Sequence, residues 1–361
     1  MSDRARPTIK DVAEAAGVAV GTVSRVINCS GSVKMQTAER VRAVIAEMGF
    51  RPNASGRALR LGESGAIGVL VPTISNPIFA RSLEGIEQAG AAFGFSTIVT
   101  TSRYDPAREL DQVAALAARG VQGLILTLAD TTTARIAAVA AHGLPFVLVY
   151  NPPGAEPGTT PYALATVDSH AAVREAAQQL ISLGHRRIAF LGGSFSASDR
   201  AKARYQGYCE AMAAQGLPAW RAVELSFSAD TQAFETEIAA LLKRLAPPTA
   251  IICSNDLLAL QAIAAARHLG LSVPDDLSVI GFDGMPMGQL VHPQLATVKQ
   301  PALSMGASAA DLLFGMIRGD APRHMILPHE FRPGGTLAAA RMDVDPMRAG
   351  STTQQSDRSQ P

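Results

Sequence analysis

The sequence predicts an α/β protein with a small all-α head at its N-terminus, followed by two doubly wound lobes. Three observations support this fold class. Two short helical patterns meet across a glycine within residues 8–28. From Ala66 onward, short apolar runs alternate with helical patterns, which is typical of parallel sheets covered by helices on both faces. The alternation occurs in two series, and a chain of 361 residues is too long for a single core.

The first pair of helices has the pattern of a helix-turn-helix motif. Apolar residues recur at helical spacing on both sides of Gly17, which can take the positive φ that ends a helix. A third amphipathic helix is predicted at 37–48. The outer side of the second helix would present Val20, Gly21, Thr22, Ser24, Arg25 and Asn28. An ordinary helical hairpin inside a larger core is the alternative interpretation of so short a motif.

The charge distribution favours a DNA-binding head over that alternative. Up to Leu61 the chain contains ten Lys or Arg and five Asp or Glu, a net charge of +5, whereas the whole chain carries +1. The remainder of the chain is therefore acidic. A basic head on an acidic body is typical of a nucleic-acid-binding domain.

The two series of strands and helices predict the two lobes. The first has strands at 66–71, 97–101, 123–127 and 146–150 and helices at 79–93, 106–119 and 132–142. The second has strands at 164–167, 187–191, 223–227, 250–253 and 279–282 and helices at 169–183, 202–214, 231–245 and 257–269. The last twenty residues, 342–361, are polar and aperiodic, which predicts a disordered tail.

Composition argues against several other classes of protein. The three cysteines and seven histidines lack the spacing of a metal site, and no nucleophile elbow or phosphate loop is found. We therefore expect no cofactor and no enzymatic activity. The charged N-terminus lacks the apolar stretch of a signal peptide, and no apolar run is long enough to span a membrane. These features predict a cytoplasmic protein that has no membrane partner.

Several motifs in fixed order resemble the lactose-repressor (LacI/GalR) family of bacterial transcription regulators. They are TIKDVAEAAGV, TVSRVIN, MGFRPNASGRALR, SNPIFA, GVQGLIL, LGHRRIAFLGG, CSNDLLALQAI, VPDDLSVIGFDG and PQLATVKQP, and together they cover residues 8 to about 341. The resemblance implies that the two lobes are of the periplasmic-binding-protein type. It also implies a head at 1–49, a hinge helix or linker at 50–62, and an effector-binding and dimerisation core at 63–341. Within that core, lobe 1 would comprise about 66–162 and 297–324, and lobe 2 about 163–296 and 325–341.

The resemblance also assigns the DNA contacts. Val20 and Gly21 match the two main positions of base specificity, yet neither side chain can hydrogen-bond a base. Direct polar readout therefore falls on Arg25, which can bond a guanine edge through two donors. Phosphate contacts are expected from Thr22, Ser24, Asn28 and Lys34. In the hinge, further DNA contacts are expected from Asn53, Leu59 and Arg60, with Leu59 wedged into the minor groove.

Candidate effector-binding residues follow the ends of strands, where open α/β sheets bind their ligands. They are Asn76, Phe79, Arg204, Asn255 and Asp283. The resemblance matches Arg204, Asn255 and Asp283 to positions that bind sugar hydroxyls or other polar groups, with Arg204 and Asp283 expected to face each other. The alternative interpretation of each is a helix cap or a surface ion pair. Aromatic residues make up only 5% of the chain, which favours a small sugar, polyol or sugar-acid effector over a planar, stacked one.

These expectations combine into a ligand-responsive transcription regulator, a repressor that meets a pseudo-palindromic operator as a homodimer. The polar tail lacks a heptad repeat, although the sequence leaves a tetramer open. The main alternative is a small-molecule (sugar) binding protein of transport or chemoreception. The basic head and the missing signal peptide both count against it. A more distant alternative is an α/β enzyme such as a sugar kinase, which would need the phosphate loop that the sequence lacks.

Overall fold

The computed structural model describes residues 7–27, 33–50, 65–154, 160–225 and 231–341. The described residues up to Ala66, together with Gly120–Gln122, form one compact unit, and the other described residues form a second. The predicted tail and most of the predicted hinge lie outside the described residues. Each unit has an apolar core of its own, and the larger unit contains both sheets.

The first unit contains a three-helix head, with α1 at Ile9–Ala15, α2 at Val20–Ile27 and α3 at Met35–Glu47. A capping box begins α1: the Thr8 backbone N–H donates to Asp11 at 2.7 Å, and Thr8 Oγ1 accepts from the Asp11 backbone. Gly17 has a φ of +62°, as predicted, and lets the chain turn into α2. The predicted start of α3 was two residues too late.

The head core is small and apolar. Val12, Val23 and Val41, one from each helix, are fully buried against one another, and Phe50 closes the cluster. The side chain of Val20 also packs partly against this core, so less of it faces outward than the sequence pattern indicates.

The first lobe is built on a six-stranded sheet in the order β11-β5-β4-β3-β1-β2. Its strands are β1 (Ala66–Val71), β2 (Ser96–Thr101), β3 (Leu124–Leu126), β4 (Phe146–Val149), β5 (Ala163–Val167) and β11 (His324–Leu327). Its helices are α4 (Pro77–Ala92), α5 (Pro106–Ala118), α6 (Thr133–Ala140) and α11 (Ala302–Ile317). The central strands are buried along their whole length, as expected for a sheet covered on both faces.

The second lobe is built on another six-stranded sheet, in the order β12-β10-β9-β8-β6-β7. Its strands are β6 (Ile188–Gly193), β7 (Val223–Leu225), β8 (Ala250–Cys253), β9 (Ser278–Asp283), β10 (Ala296–Lys299) and β12 (Glu330–Arg332). Its helices are α7 (Ser169–Ser182), α8 (Asp199–Ala214), α9 (Thr231–Leu242) and α10 (Asp256–His268), and a 3₁₀ turn spans Pro286–Gln289. Among the described strands of this lobe, only β12 is antiparallel to its neighbour, β10.

The chain crosses between the lobes three times, but not at the predicted residues. The predicted boundaries at 163, 297 and 325 are corrected by the strand pairing. β5 pairs with β4 and β11 in the first sheet, and β10 pairs with β9 in the second. The crossings therefore follow β5, β10 and β11. The reason for the error is physical: a buried parallel strand is a continuous apolar run in either lobe, so its own pattern does not reveal its partner.

Candidate effector cavity and DNA-binding head

One cavity lies between the two lobes, at the carboxyl ends of their strands. Val71 ends β1 ahead of the loop to Asn76, and Asp283 ends β9. The N-terminal part of α8, which follows β6, supplies further lining residues. All five residues predicted to bind the effector line this cavity: Asn76, Phe79, Arg204, Asn255 and Asp283. The structure thus brings together side chains from both lobes.

Asp283 is the buried carboxylate of the cavity, with only 3% of its surface exposed. Its Oδ1 accepts a hydrogen bond from Gln300 Nε2 at 2.8 Å, and its Oδ2 accepts one from Asn76 Nδ2 at 3.4 Å. Burial raises the pKa of Asp283 to about 6, against the opposing effect of the positive charge on Arg204. The carboxylate is therefore ionised at neutral pH and connects the first lobe to the second.

Arg204 is held by its own lobe. Its Nη1 donates to the Ser254 carbonyl oxygen, and its Nε lies 3.4 Å from Ser169 Oγ. The guanidinium stacks on Phe282, with Cζ 3.6 Å from the ring centroid. Burial lowers the pKa of Arg204 to about 10, which leaves it protonated at neutral pH. Within the described part of the chain no hydrogen bond or ion pair joins Arg204 to Asp283, although both side chains line the same cavity. That they face each other across a bound effector stays a prediction.

The two asparagines act as helix caps as well as lining residues. Asn76 Oδ1 accepts from Ile78 N at 3.1 Å and begins α4, and Asn255 Oδ1 accepts from Leu258 N at 2.8 Å and begins α10. The alternative interpretation, a helix cap, therefore holds for both, although each still lines the cavity. Asp256 follows Asn255 and lies in the first turn of α10.

Asp256 supports the loop that follows Asp283. Its carboxylate accepts hydrogen bonds from Met285 N and from Thr297 Oγ1, each at 2.6 Å. It is fully buried, and burial raises its pKa to about 7, with a further rise from the nearby charge of Asp283. Asp256 therefore fixes the backbone beside the cavity without lining it.

Phe79 is less available for stacking than the sequence indicates. Its ring packs edge-on against Tyr150, with the ring centroids 5.4 Å apart and the planes at 85°. The Tyr150 hydroxyl donates to the Ile78 carbonyl oxygen at 3.0 Å, which fixes the pair. Phe79 and Tyr150 are each only 3–4% exposed, so little ring surface is free for a ligand to stack on.

Sequence reasoning missed several residues of the cavity: Tyr104, Tyr150, Ser198, Arg200 and Gln300. Arg200 was missed because the predicted helix began three residues too late, at 202. Its position four residues before Arg204, on the same helical face, is a signal that could have revealed it. Gln300 lies in the second crossing, which shows no pattern of its own. No sequence pattern distinguishes the two tyrosines.

Unusual backbone geometry is concentrated at this cavity. Within the described ranges, four residues other than glycine have positive φ, and three of them line the cavity: Tyr104 at 57°, Tyr150 at 71° and Asp283 at 116°. Side chains with a Cβ rarely occupy this region, and each such residue costs on the order of 1–3 kcal/mol. The surrounding fold maintains this strain where the polar side chains converge, which is typical of functional sites.

Hydrogen bonds across the cleft hold the two lobes together. Arg200 Nη1 donates to the Leu128 carbonyl oxygen at 2.6 Å, and the Asp199 backbone N–H donates to the Ala129 carbonyl oxygen at 2.7 Å. The Asn151 amide donates to both carboxylate oxygens of Asp199, at 3.0 and 2.9 Å. The cavity between these contacts is small, because the centres of water molecules have only about 30 Å³ in it, room for two or three waters at about 10–15 Å³ each. A sugar-sized ligand would need more room than the lobes leave in this arrangement.

The head places its predicted DNA contacts on one helix and the start of the next. On α2, Gly21 and Arg25 are exposed, and Thr22 and Ser24 are half-buried. Lys34 is exposed at the start of α3, where its side chain makes no capping hydrogen bond. A cation at that position opposes the helix dipole, so contact with a DNA phosphate is the more favourable use. Asn28, Asn53, Leu59 and Arg60 lie outside the described residues and stay predictions.

No group of three or more His, Cys, Asp or Glu side chains is placed to hold a metal ion within the described ranges. No helix in the described part of the chain is both long and apolar enough to cross a membrane.

A helix-turn-helix head and a two-lobed binding domain in one chain define a DNA-binding transcription regulator with a ligand-binding domain. Comparisons with known proteins agree. Residues 8–53 match the model of bacterial regulatory proteins of the lacI family. Residues 64–333 match the model of periplasmic binding proteins and the sugar-binding domain of the LacI family. The chain belongs to the LacI family.

Individual relatives cover nearly the whole chain. The transcriptional regulator DegA of Bacillus subtilis is 34% identical over 330 residues, which is 90% of this chain and 96% of DegA. A lac repressor dimer bound to operator and the anti-inducer ONPF superposes with a TM-score of 0.82 at 27% identity, covering 93% of this chain and all of that chain. A complex of the regulator CelR with cellobiose superposes at 0.67, with 28% identity over 92% of this chain and all of CelR.

Proposed function

We propose that the protein is a repressor that binds a pseudo-palindromic operator as a homodimer and responds to a small polar effector, sugar-like or a sugar acid. One observation carries this proposal. A cavity lined by charged and amide side chains from two lobes occurs in the same chain as a helix-turn-helix head. The head supplies a means of binding DNA, and the cavity supplies a means of sensing a small molecule.

The lining of the cavity favours a small polar effector. The Asp283 carboxylate can accept hydrogen bonds from hydroxyl groups, and the Gln300 amide can both accept and donate them. Arg204 offers guanidinium donors. The structural relative CelR holds cellobiose, which supports a ligand rich in hydroxyl groups. A large apolar effector could not pair with the polar atoms of this lining, and each buried polar atom left without a partner costs about 1–3 kcal/mol.

The three crossings between the lobes supply a mechanism for control. They are short, and an effector that contacts both lobes binds one relative orientation better than another. Asn76 and Phe79 belong to the first lobe, whereas Arg204 and Asp283 belong to the second. Effector binding would therefore shift the population of lobe orientations, and this shift would be passed to the DNA-binding heads of the dimer.

The dimer follows from the geometry of DNA recognition. A single recognition helix reads only a few base pairs, and two related heads read two half-sites of a pseudo-palindrome. Arg25 would contact a guanine, Val20 would offer a thymine methyl group an apolar contact, and Gly21 would permit close approach. Thr22, Ser24 and Lys34 would bind phosphates and set the register. The lac repressor relative is a dimer on its operator, which supports this assembly.

Selection of bound duplexes from random DNA by the full chain, followed by sedimentation of the selected complex, tests the proposal. We expect an inverted repeat with one half-site for each head, and two chains for each duplex. A selected motif without two-fold symmetry, or a complex with one chain for each duplex, would contradict the homodimer. The absence of any sequence enrichment would contradict the function as a whole.

A further inference from the structure

Arg200 carries a buried donor that has no partner among the described residues. It is 4% exposed and lines the cavity from the first turn of α8. Its Nη1 donates to the Leu128 carbonyl oxygen and lies 3.4 Å from Asp199 Oδ1. Its Nη2 is fully buried and has no hydrogen-bond partner among the residues that the structure describes. A guanidinium donor left unpaired in a protein interior is costly, which points to a ligand group as its partner.

Gln300 has a buried acceptor that likewise lacks a partner among the described residues. Its Nε2 donates to Asp283 Oδ1 at 2.8 Å, and this bond fixes which way the amide faces. The Oε1 atom is buried and has no partner within the described ranges. Gln300 is 4% exposed and also lines the cavity. A ligand that satisfies both residues must bring an acceptor to Arg200 and a donor to Gln300.

The charge of the cavity lining decides the nature of the acceptor. Two guanidinium groups, Arg200 and Arg204, and one carboxylate, Asp283, line the cavity. The Asp199 carboxylate is not part of the lining, but it lies 3.4 Å from Arg200 Nη1 and also accepts hydrogen bonds from the Asn151 amide. The groups that line the cavity therefore carry one excess positive charge when Asp283 is ionised, and Asp199 compensates it only from outside the lining. A single negative charge on the ligand would balance it, in a site where water screens little.

We propose that the effector is a hydroxy acid with a single carboxylate that pairs with Arg200 Nη2 and a hydroxyl group that donates to Gln300 Oε1. This inference rests on the proposed function and narrows it from polar ligands in general to monoanionic ones. A neutral sugar could offer Nη2 only a hydroxyl oxygen, and hydrogen bonds to a charged acceptor are about twice as strong. A phosphate group would bring a second negative charge that the lining does not balance.

The test is a thermal-shift and calorimetric titration of the full chain with matched probes. The D-gluconate, D-galactonate and D-mannonate salts are each compared with the alditol of the same configuration, sorbitol, galactitol or mannitol. Hexanoate supplies the charge without hydroxyl groups, and glucose 6-phosphate supplies a doubly charged alternative. We expect at least one aldonate to raise the melting temperature and to bind at least about tenfold more tightly than its alditol and than hexanoate.

Two variants locate the contacts for the aldonate that binds. Arg200→Met keeps the aliphatic part of the side chain and removes its donors, and should weaken aldonate binding about 10- to 100-fold and alditol binding by a much smaller factor. Gln300→Met should weaken aldonate binding more than hexanoate binding, because hexanoate has no hydroxyl group to donate. Arg119→Met, which removes an exposed arginine at the end of α5, is the matched control and should change neither.

Several results would overturn the hydroxy-acid assignment. One is that an alditol or glucose 6-phosphate binds as tightly as any aldonate. Another is that Arg200→Met leaves aldonate affinity unchanged. The third is that none of the acids tested raises the melting temperature. The comparison of acids with alditols uses the unaltered chain, so it stands even if a variant folds poorly. Selection of DNA without ligand tests the proposed function separately. Failure of the hydroxy-acid assignment can therefore be distinguished from failure of the proposed function.

Discussion

Helices α4 and α11 approach each other so closely that only glycine fits at their contact. A Cβ added to Gly85 in α4 would lie 2.9 Å from Ala307 N, and closer still to the carbonyl oxygen of Leu303. Gly306 in α11 faces the backbone of Ser82 in the same way. These neighbours are backbone atoms, which cannot rotate away as a side chain can. The two helices would have to separate.

We predict that Gly85→Ala destabilises the protein by about 2–3 kcal/mol. Overpacking a well-packed core costs about 1–3 kcal/mol, and a clash with backbone atoms belongs at the upper end or beyond it. Alanine in the interior of a helix returns up to about 1 kcal/mol through its higher helix propensity. Because α4 begins at Asn76 and α11 follows Gln300, separating the helices should also weaken effector binding.

Urea unfolding followed by circular dichroism measures the effect, and Gly90→Ala is the matched control. Gly90 lies on the same helix, but a Cβ there would be 3.5 Å from its nearest neighbour, the Phe95 carbonyl oxygen, an ordinary contact. Gly90→Ala should therefore be neutral, or stabilise by up to about 1 kcal/mol. Equal free energies of unfolding for the two variants would refute the close packing of α4 on α11.

Three further predictions concern pH, DNA reading and the cavity. Burial raises the pKa of Asp256 to about 7, so the folded state favours its protonated form, and stability should fall as pH rises from about 4 through 7. Asp256→Asn should flatten this decline in urea unfolding, and an unchanged slope would contradict the assignment. Arg25→Ala should cost about 1–3 kcal/mol and relax specificity at one position of each half-site, whereas Lys34→Ala should weaken binding to all sequences and reduce the salt slope by about one. A changed base preference in Lys34→Ala would refute its phosphate role. Asp283→Ala should abolish the rise in melting temperature that an identified effector produces, and a retained rise would contradict its place in the site.

Much of the fold could be predicted because its strands and helices carry strong periodic patterns. Apolar runs such as Ala66–Val71 and Ala250–Cys253 were located to the residue, because a fully buried parallel strand is apolar throughout. Partner choice was not predictable in the same way. β5, β10 and most of β11 were assigned to the wrong lobes, since pairing depends on the path of the whole chain rather than on the composition of one strand.

The candidate site was predicted only in part, for related reasons. Asp283 is the last residue of β9, and Asn76 lies in the loop that follows β1. Ligand-binding residues of α/β folds occur at such strand ends, and both residues line the cavity. Arg200 was not predicted because α8 begins earlier than the apolar pattern indicates. Ser198 caps the helix there, since its side-chain oxygen accepts a hydrogen bond from Ala201 N. Asn255 both caps a helix and lines the cavity. This double role could not be predicted from the local sequence, because it depends on tertiary packing.

The central claim is that a ligand in the cavity between the lobes controls DNA binding by the head. The most direct test titrates the selected operator with the full chain by fluorescence anisotropy, with and without an effector at a concentration that saturates the thermal shift. We expect the effector to change operator affinity at least tenfold in the unaltered chain and to leave it unchanged in Asp283→Ala. The same operator affinity with and without a saturating effector in the unaltered chain would contradict the central claim.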